Sequence, residues 1–418
     1  MTVANAINKK VIVGVQGEQG TVCAADLATA QTLRFLKFTQ GQTNETYTSN
    51  EMRPDRQVGD VNIGPQSCDG SMNGELSPGT YKTFMAAVLR KAWVAGVSMN
   101  EAATANVAAA TISGATGTFT RDDVGGSFIT DGFKVGDVVR WTGWTPGVAN
   151  NAHNMLITAL TATVMTVTTL DGVAVVTEAK GGTVACSVVG KKLWTPASGH
   201  TENWLTIEHN YSDVDLSEVY YDSKITSMAI KAPASGIPTV DFNLLGLQVN
   251  DLQAAASPYF TAPVAITTTE AVLSGKAIVF FHGTQQVLAT GIDIDIKGNN
   301  AAMGAVLGTN VKPGIVDKRL EVTGNISVYF KDAIIRDLFK AGTEVAIYAV
   351  FPVSSDANAD FIALQIPLAK LTGASKDGDA EIIQSIPFQA IFNNAGDDGT
   401  TCTTTSLATT LSIQDAKA

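Results

Sequence analysis

Two segments of the chain repeat one pattern of residues at a constant distance, which restricts the possible folds. Each segment reads as a strand followed directly by an amphipathic helix, and the two align without a gap at an offset of 254 positions (324 − 70). The matched pairs are Gly70 with Gly324, Met72 with Ile326, Leu76 with Phe330, Tyr81 with Ile335, Phe84 with Leu338, and Met85 with Phe339. A chance likeness between two amphipathic units is the alternative, but the gapless match favours a tandem duplication.

Weaker parallels continue beyond the helices. Glu202–Asn210 resembles Glu344–Pro352, and Val240–Leu247 resembles Ile382–Gln389. The first copy is therefore expected to end near residue 255. We predict that it comprises residues 1–110 and 194–255, and that the second copy comprises residues 256–418.

The texture of the chain is mainly β. Apolar and polar residues alternate over Leu320–Phe330, Ile292–Lys297 and Val240–Leu244, and a period of two is typical of a strand buried on one face. We therefore predict a mainly β fold with two related β-sandwich or β-barrel domains.

Each copy also carries one helix beside its barrel or sandwich. Apolar residues at helical spacing over Tyr81–Trp93 form one stripe, and Ser77 is placed to cap this helix. The second helix covers Ile334–Phe339, with Asp332 as its expected cap and Gly342 as its end.

The first copy is longer because it contains an insertion. Residues 111–193 are rich in Thr, Val and Gly, and strand-like runs alternate with turn signals such as Asp171-Gly172. We predict that this segment is a small β domain of its own. Its Trp141 and Trp144 offer either a platform for stacking sugars or, more simply, packing for a small core.

Charge and hydropathy exclude several classes of protein. Lys and Arg total 28 against 39 Asp and Glu, which gives a net charge of −11, so the chain is not expected to hold nucleic acid by counter-ion release. No apolar run reaches the ~20 residues that a membrane helix needs. Because the N-terminus lacks a secretory pattern, we expect synthesis and assembly in the cytoplasm and no membrane insertion.

The residues of common catalytic and metal sites are absent from the sequence in the required spacing. The histidines (His153, His200, His209 and His282) form no HExxH pair, the four cysteines form no CxxC pair, and neither a GxSxG motif nor a P-loop occurs. We therefore predict that the protein is not an enzyme and has no cofactor or metal.

Asp293 and Asp295 are the most distinctive charged pair. They share one face of a predicted strand, ~7 Å apart at the rise of a β-strand. Such a pair indicates one wall of an acidic channel, a functional carboxylate pair, or an ordinary solvated strand face.

Several segments together resemble the tail tube proteins of long-tailed bacteriophages. The most specific segments are Thr46–Gln57, with its Arg-Pro-Asp-Arg stretch, and Gly70–Tyr81. Gly199–Thr201, Ile207–Tyr221 and Ser127–Trp141 are similar to that family as well. The second copy lacks the Arg-Pro-Asp-Arg stretch, so the role of that loop is expected in only one half.

The resemblance implies a β-sandwich or barrel with a flanking helix, assembled into rings that stack as a hollow tube for DNA ejection. Since the family builds six-fold lumens, a chain with two such domains predicts a trimeric, pseudo-hexameric ring; a ring of six chains is the alternative. The expected partners are further copies of the chain, tape measure and tail-end proteins, and DNA in transit. The expected location is the virion tail, after assembly in the host cytoplasm.

The resemblance also suggests roles for individual residues. Glu51, Arg53, Asp55 and Arg56 are candidates for a ring-stacking loop, and the alternative is an ordinary polar loop. Asp293 and Asp295 are candidates for acidic residues that face the lumen. We expect the insertion to project outward and tube assembly to survive its deletion. The alternative function is a virion adhesin that binds carbohydrate through the inserted domain.

Overall fold

Antiparallel strand pairing organises almost the whole chain. The structure is a computed structural model, and it describes residues 4–100, 107–122, 125–144, 150–178, 184–281, 285–378 and 381–418. His282 lies outside these residues. Among the described residues, nineteen strands form one connected network, seven form a separate sheet and two form a small ribbon. The prediction of a mainly β fold is confirmed.

The first part of the chain supplies the opening strands and the first helix. These are β1 (Lys9–Gln16), β2 (Gln31–Thr32), β3 (Lys37–Thr48), β4 (Val61–Glu75), α1 (Lys82–Leu89) and β5 (Val94–Ala95). The separate sheet follows, with β6 (Ser98–Asn100), β7 (Val107–Ser113), β8 (Thr116–Arg121), β9 (Val138–Thr142), β10 (Met155–Leu160), β11 (Val164–Thr169) and β12 (Ala185–Val188). The first half then resumes with β13 (Lys191–Trp194), β14 (Trp204–Tyr211), β15 (Leu216–Pro233), β16 (Thr239–Gly246) and β17 (Gln248–Gln253).

The second half contains the remaining strands and the second helix. These are β18 (Ile278–Phe281), β19 (Gln285–Val287), β20 (Ala289–Lys297), β21 (Ala301–Ala302), β22 (Ile315–Val316), β23 (Glu321–Tyr329), α2 (Ile334–Ala341), β24 (Glu344–Pro352), β25 (Phe361–Leu371), β26 (Ser375–Asp377), β27 (Ile383–Ala390) and β28 (Ser412–Asp415). Short 3₁₀ turns occur at Ala6–Asn8, Ala254–Ala256 and Ser274–Lys276.

One sheet runs through both halves of the chain and is called the long sheet below. Its strands pair in the order β3, β4, β16, β15, β20, β23, β27 and β26. The two halves meet where β15 pairs with β20, over Ser227–Pro233 and Gly291–Lys297. Each half also contributes a second sheet, built on β1, β14 and β17 in the first half and on β18, β24 and β28 in the second.

Strand β15 belongs to both sheets of the first half because it bends near Asp222. Its first part pairs with β14 and β17, and its later part pairs with β16 and β20. Asp222 has a positive φ of 52°, and its buried carboxylate accepts hydrogen bonds from the Gly20 amide at 2.7 Å and from the Gln16 and Gln248 side chains at 3.1 Å each. These bonds stabilise a backbone conformation that non-glycine residues rarely adopt.

The two halves pair their strands in the same register. Lys37 lies opposite Asn73, and Gly291 lies opposite Ser327, so both members of the pair shift by 254 positions. A β-bulge between Leu205 and Ile207 recurs between Val345 and Ile347. The offset there is 140 rather than the 142 of the sequence alignment. On β16 and β27 it is 144, since Phe242 and Ile386 lie opposite the equivalent residues Met72 and Ile326.

The main core lies between the sheets. It joins Val13 and Ile207 of the second sheet to Met72 and Phe242 of the long sheet, and it extends into the second half through Ile326 and its neighbours. Two sheets that face one another across such a core form a sandwich. The strands of the described residues do not close into a barrel, so the barrel form of the prediction is wrong.

The two helices differ in burial. Helix α1 buries most of its residues, whereas none of the residues of α2 is fully buried. Ser77 does not cap α1, because its hydroxyl bonds Thr80 and Arg34 instead. In α2, Asp332 accepts the Ile334 amide at 3.0 Å and Gly342 ends the helix with a φ of 62°.

The separate sheet occupies a shorter and earlier segment than the predicted insertion of residues 111–193. Its strands pair in the order β6, β12, β9, β10, β11, β8 and β7, so they extend from Ser98 to Val188. Lys191–Trp194 instead pairs with β28 and β5 of the main network. The uneven Ala-rich alternation before residue 111 conceals the first strands.

This sheet packs against the second half of the chain. Its Lys134 ammonium lies 2.6 Å from the Asp397 carboxylate, and Asn154 donates to the Ala359 carbonyl at 2.7 Å. The apolar part of the contact contains Val138, Leu156, Val189, Phe280, Tyr348, Val350, Phe361 and Ala363. Neighbouring residues of β18 and β24 enter the main core instead, so the separate sheet covers the outer side of the sandwich.

Candidate functional site

The polar face of the long sheet carries Asp293 and Asp295. They alternate on β20 with Ile292, Ile294 and Ile296, which are 4%, 1% and 0% exposed in the main core. Asp293 lies opposite Lys231 of β15, and Asp295 lies opposite Ala229. The predicted sharing of one strand face is therefore present, and it places both carboxylates beside the junction of the two halves.

Charge neighbours modulate this part of the face. The Lys231 ammonium lies 3.1 Å from the Asp241 carboxylate, and this hydrogen bond raises the pKa of Lys231. Partial burial raises the pKa of Asp293, Lys231 opposes that rise, and the nearby Asp295 adds to it. Asp241 also accepts a hydrogen bond from Asn73 at 2.5 Å. The row from Asn73 to Asp293 is thus a continuous polar network across four strands.

The remaining charges of this face follow from the strand register. Its acidic residues are Asp69, Glu75, Asp241, Asp293, Asp295, Glu321 and Asp377, and its basic residues are Lys37, Lys231 and Lys297. Seven carboxylates against three lysines give the face a formal charge of −4. The sheet surface therefore carries the acidic balance of the chain on a single side.

The second candidate set lies on a projecting hairpin, called the arm below and formed by residues 41–66. Glu51, Arg53, Asp55 and Arg56 occupy its connecting loop, and all four are exposed. Arg53 pairs with Asp55 at 3.2 Å, and the Arg56 amide donates to the Arg53 carbonyl at 3.1 Å. These contacts are local, so they shape the loop and leave its charged groups available to a neighbour.

The arm exposes apolar side chains as well as charges. Met52 is 102% exposed, Ile63 65% and Tyr47 54%. Its base is fixed where Lys312 lies 3.5 Å from Glu45 and the Gln66 amide donates to the Asn310 carbonyl at 2.9 Å. A two-stranded ribbon is marginal by itself, so exposed apolar groups on it indicate a docking surface.

The structure does not bring the two candidate sets together, since one lies on the arm and the other near the middle of the long sheet. Sequence reasoning also missed the apolar residues of the arm and the open edges of the long sheet. Within the described residues, β3 pairs only with β4, and β26 only with β27. The apolar residues among the charges of 47–63 were the available signal for the arm.

The tryptophans of the separate sheet do not form a sugar-stacking platform. Trp141 and Trp144 are both 0% exposed. Trp141 stacks on Phe119 with ring centroids 4.4 Å apart, and the two tryptophans lie 5.9 Å apart in a T-shaped arrangement. The simpler alternative, packing of a small core, is the observed one, and the adhesin hypothesis loses the surface it depended on.

His209 is a buried core residue. Its ring lies 4.8 Å from Phe38 and 5.1 Å from Tyr220, and neither ring nitrogen has a hydrogen-bond partner in the described part of the chain. Burial, helped by the charge of Lys9, lowers the pKa of His209 to about 3, so the ring is neutral at pH 7. Across the described ranges, His, Cys, Asp and Glu form no cluster of three or more that could hold a metal ion.

A polar sheet face, two open sheet edges and an apolar arm are the surfaces of a structural β protein that assembles with other subunits. Comparison with protein families identifies which one: the family described as phage tail tube protein matches residues 8–390. The chain belongs to this family and is a structural component of a bacteriophage tail. Comparison with curated proteins finds no significant match. Within the part of the chain that the structure describes, no helix has the length and apolar character needed to cross a membrane.

Proposed function

We propose that three copies of this chain form one ring of the tail tube and that stacked rings make the conduit for DNA ejection. Each chain contributes two related sandwich domains, so that three chains present six units around the lumen. The observation that carries this proposal is the common strand register of the two halves. Family membership supports the tube; the number of chains and the passage of DNA are our inference.

A tandem duplication accounts for more than the pairing. A Cβ atom on Gly70 would come within 2.3 Å of the Thr39 carbonyl oxygen, and one on Gly324 within 2.5 Å of the Asp293 carbonyl oxygen. Thr39 and Asp293 are themselves 254 positions apart. The same close approach of two strands therefore requires glycine at equivalent positions, which supports descent from one unit.

We place the polar face of the long sheet on the lumen. This assignment is supported by the opposite side of the sandwich, where the separate sheet covers Phe280, Tyr348 and Phe361. We regard residues 98–188 as the inserted domain, which then lies on the outside of the tube. A ring of three chains would carry −12 on its inner face, and like charge repels passing phosphates.

We assign the arm to contacts between successive rings. Its charged loop and exposed Met52 and Ile63 suit a surface that is covered only after assembly. Tape measure and tail-end proteins are the further partners of such a tube, and assembly is expected in the host cytoplasm.

Mass measurement of isolated rings tests the stoichiometry. Three chains of 43.6 kDa predict a ring of about 131 kDa, and six predict about 262 kDa. Electron microscopy of the same material should show hollow tubes. A ring of six chains would refute the trimer, and a protein that forms no tube under any condition that favours assembly would count against the conduit.

A further inference from the structure

The junction inside the chain specifies how neighbouring chains meet. Strand β15 of the first half pairs with β20 of the second. The equivalent of β20 in the first half is β3, at the offset of 254, and β3 has an open edge. The equivalent of the later part of β15 in the second half is β26: Lys231 lies opposite Thr239 as Asp377 lies opposite Ile383. The edge of β26 is open as well among the described residues.

We propose that β3 of one chain pairs with β26 of the next in the register of the internal junction. This inference rests on the proposed ring and adds the identity and alignment of its seam. Within one chain, Lys231 lies opposite Asp293 and Ala229 lies opposite Asp295. The equivalent seam pairs are Asp377 with Thr39 of the neighbour, and Ser375 with its Gly41.

A single chain cannot make this contact with itself. Six strands separate β3 from β26 in the long sheet, so the two edges lie ~34 Å apart along the sheet at ~4.8 Å per strand. Pairing one edge with the other edge of the next chain is a head-to-tail contact, which makes a ring when the rotation closes. The long sheets of all chains then become one continuous inner sheet.

Side chains make the seam more soluble than the internal junction before it closes. The internal junction matches Ile230 with Ile294, and the equivalent seam positions hold Lys376 and Gln40. Charged and polar residues on an open edge discourage indiscriminate pairing. The seam therefore depends mainly on backbone hydrogen bonds, which form only in a correct alignment.

An exposed apolar patch on the second half supports the same arrangement. Leu288 is 75% exposed and Tyr329 45%, beside a cavity of about 340 Å³ that also contacts Ile335. In the first half the equivalent surface is covered by the chain before β18, where the Val272 amide donates to the Leu76 carbonyl at 2.9 Å.

The chain before β1 is the matching cover for this patch. The 3₁₀ turns at Ala6–Asn8 and Ser274–Lys276 stand 268 positions apart, the same offset that relates Val13 of β1 to Phe281 of β18 through their partners. We assign the patch to residues 4–8 of the neighbouring chain. The chain that supplies β3 to a seam is thus also the one that covers the apolar surface beside it.

Cysteine pairs exchanged between the same four positions test the register. The in-register variants are T39C/D377C and G41C/S375C, and the controls T39C/S375C and G41C/D377C are displaced by two residues. All four sites are exposed, and no atom lies within 4 Å of a Cβ placed on Gly41. A Cys402→Ser background removes the native thiol that is not fully buried. Directly opposed residues meet the geometry of a disulfide, whereas diagonal neighbours lie beyond it.

Mild oxidation of assembled tubes should link the in-register pairs about tenfold more than the displaced pairs. The products on a denaturing gel should be covalent multimers that end at a closed ring of three chains and disappear with reductant. Tubes that form but link only the displaced pairs, or none of the four, would overturn the seam and leave the tube intact. Failure of the parent chain to form tubes would instead refute the proposed function.

Discussion

Reversing the charge of Asp293 and Asp295 is expected to turn the tube from a surface that repels DNA into one that retains it. The double variant D293K/D295K adds four positive charges per chain, which brings the polar face of the long sheet from −4 to neutral. A ring of three chains changes from −12 to zero. Folding should tolerate the change, because both residues point away from the core and Lys231 keeps its 3.1 Å contact with Asp241.

The size of the effect follows from counter-ion release. Six new lysines per ring that each neutralise one phosphate give a log–log salt slope of about −5, which corresponds to about a thousandfold loss of affinity between roughly 50 and 200 mM salt. DNA binding to purified tubes at these salt concentrations measures the slope. Fluorescence-timed DNA release from particles built with the variant should be slower than from the parent.

The matched control places the same charges elsewhere. Asp251 and Glu270 are exposed and belong to no strand of the long sheet, so D251K/E270K changes the net charge equally without altering the inner face. Equal DNA retention by both variants would refute the lumen assignment. Unchanged retention and release in D293K/D295K tubes would refute it as well.

Three further outcomes follow from the structure. Replacing residues 49–60 by a tight turn should leave rings intact but prevent stacking, so sedimentation should find single rings; long tubes would contradict the role of the arm. Because the pKa of His209 is lowered to about 3, its unfolded form binds protons first between pH 3 and 6.5; native stability should fall by about 2 kcal/mol from pH 7.5 to pH 5. H209F should lose this dependence in urea titrations, and an equal pH response would refute the cause. Deleting residues 98–188 should lower soluble yield and unfolding temperature by exposing Tyr348 and Phe361, whereas an unchanged protein would restore the tolerance that the sequence suggests.

Residues with a strict steric role made the repeat visible in the sequence. Gly70 and Gly324 remain at a constant offset because a neighbouring strand leaves no room for a Cβ. The alternation on β20 likewise placed Asp293 and Asp295 correctly on a polar face. Farther along, bulges and loops of different length shift the offset to 140 and 144, so a single alignment could not follow the later strands.

Long-range packing explains what the sequence left out. Ser77 has the position of a helix cap, but Arg34 and Thr80 compete for its hydroxyl. The small core predicted for the insertion is present, yet its attachment to the second half depends on Lys134 meeting Asp397, which is 263 positions away. Local patterns carry no signal for such partners or for which edge of a sheet remains open.

The arm exists in only one of the two halves, and this gives the proposed tube a polarity of rotation. The equivalent positions 295–320 of the second half fold back on the body, where Asn310 and Lys312 contact the base of the arm. A ring of three chains then presents six similar walls but only three arms. Successive rings could lock together at every 120° rather than at every 60°, so a ring inserted half a step out of phase would find no socket for its arms.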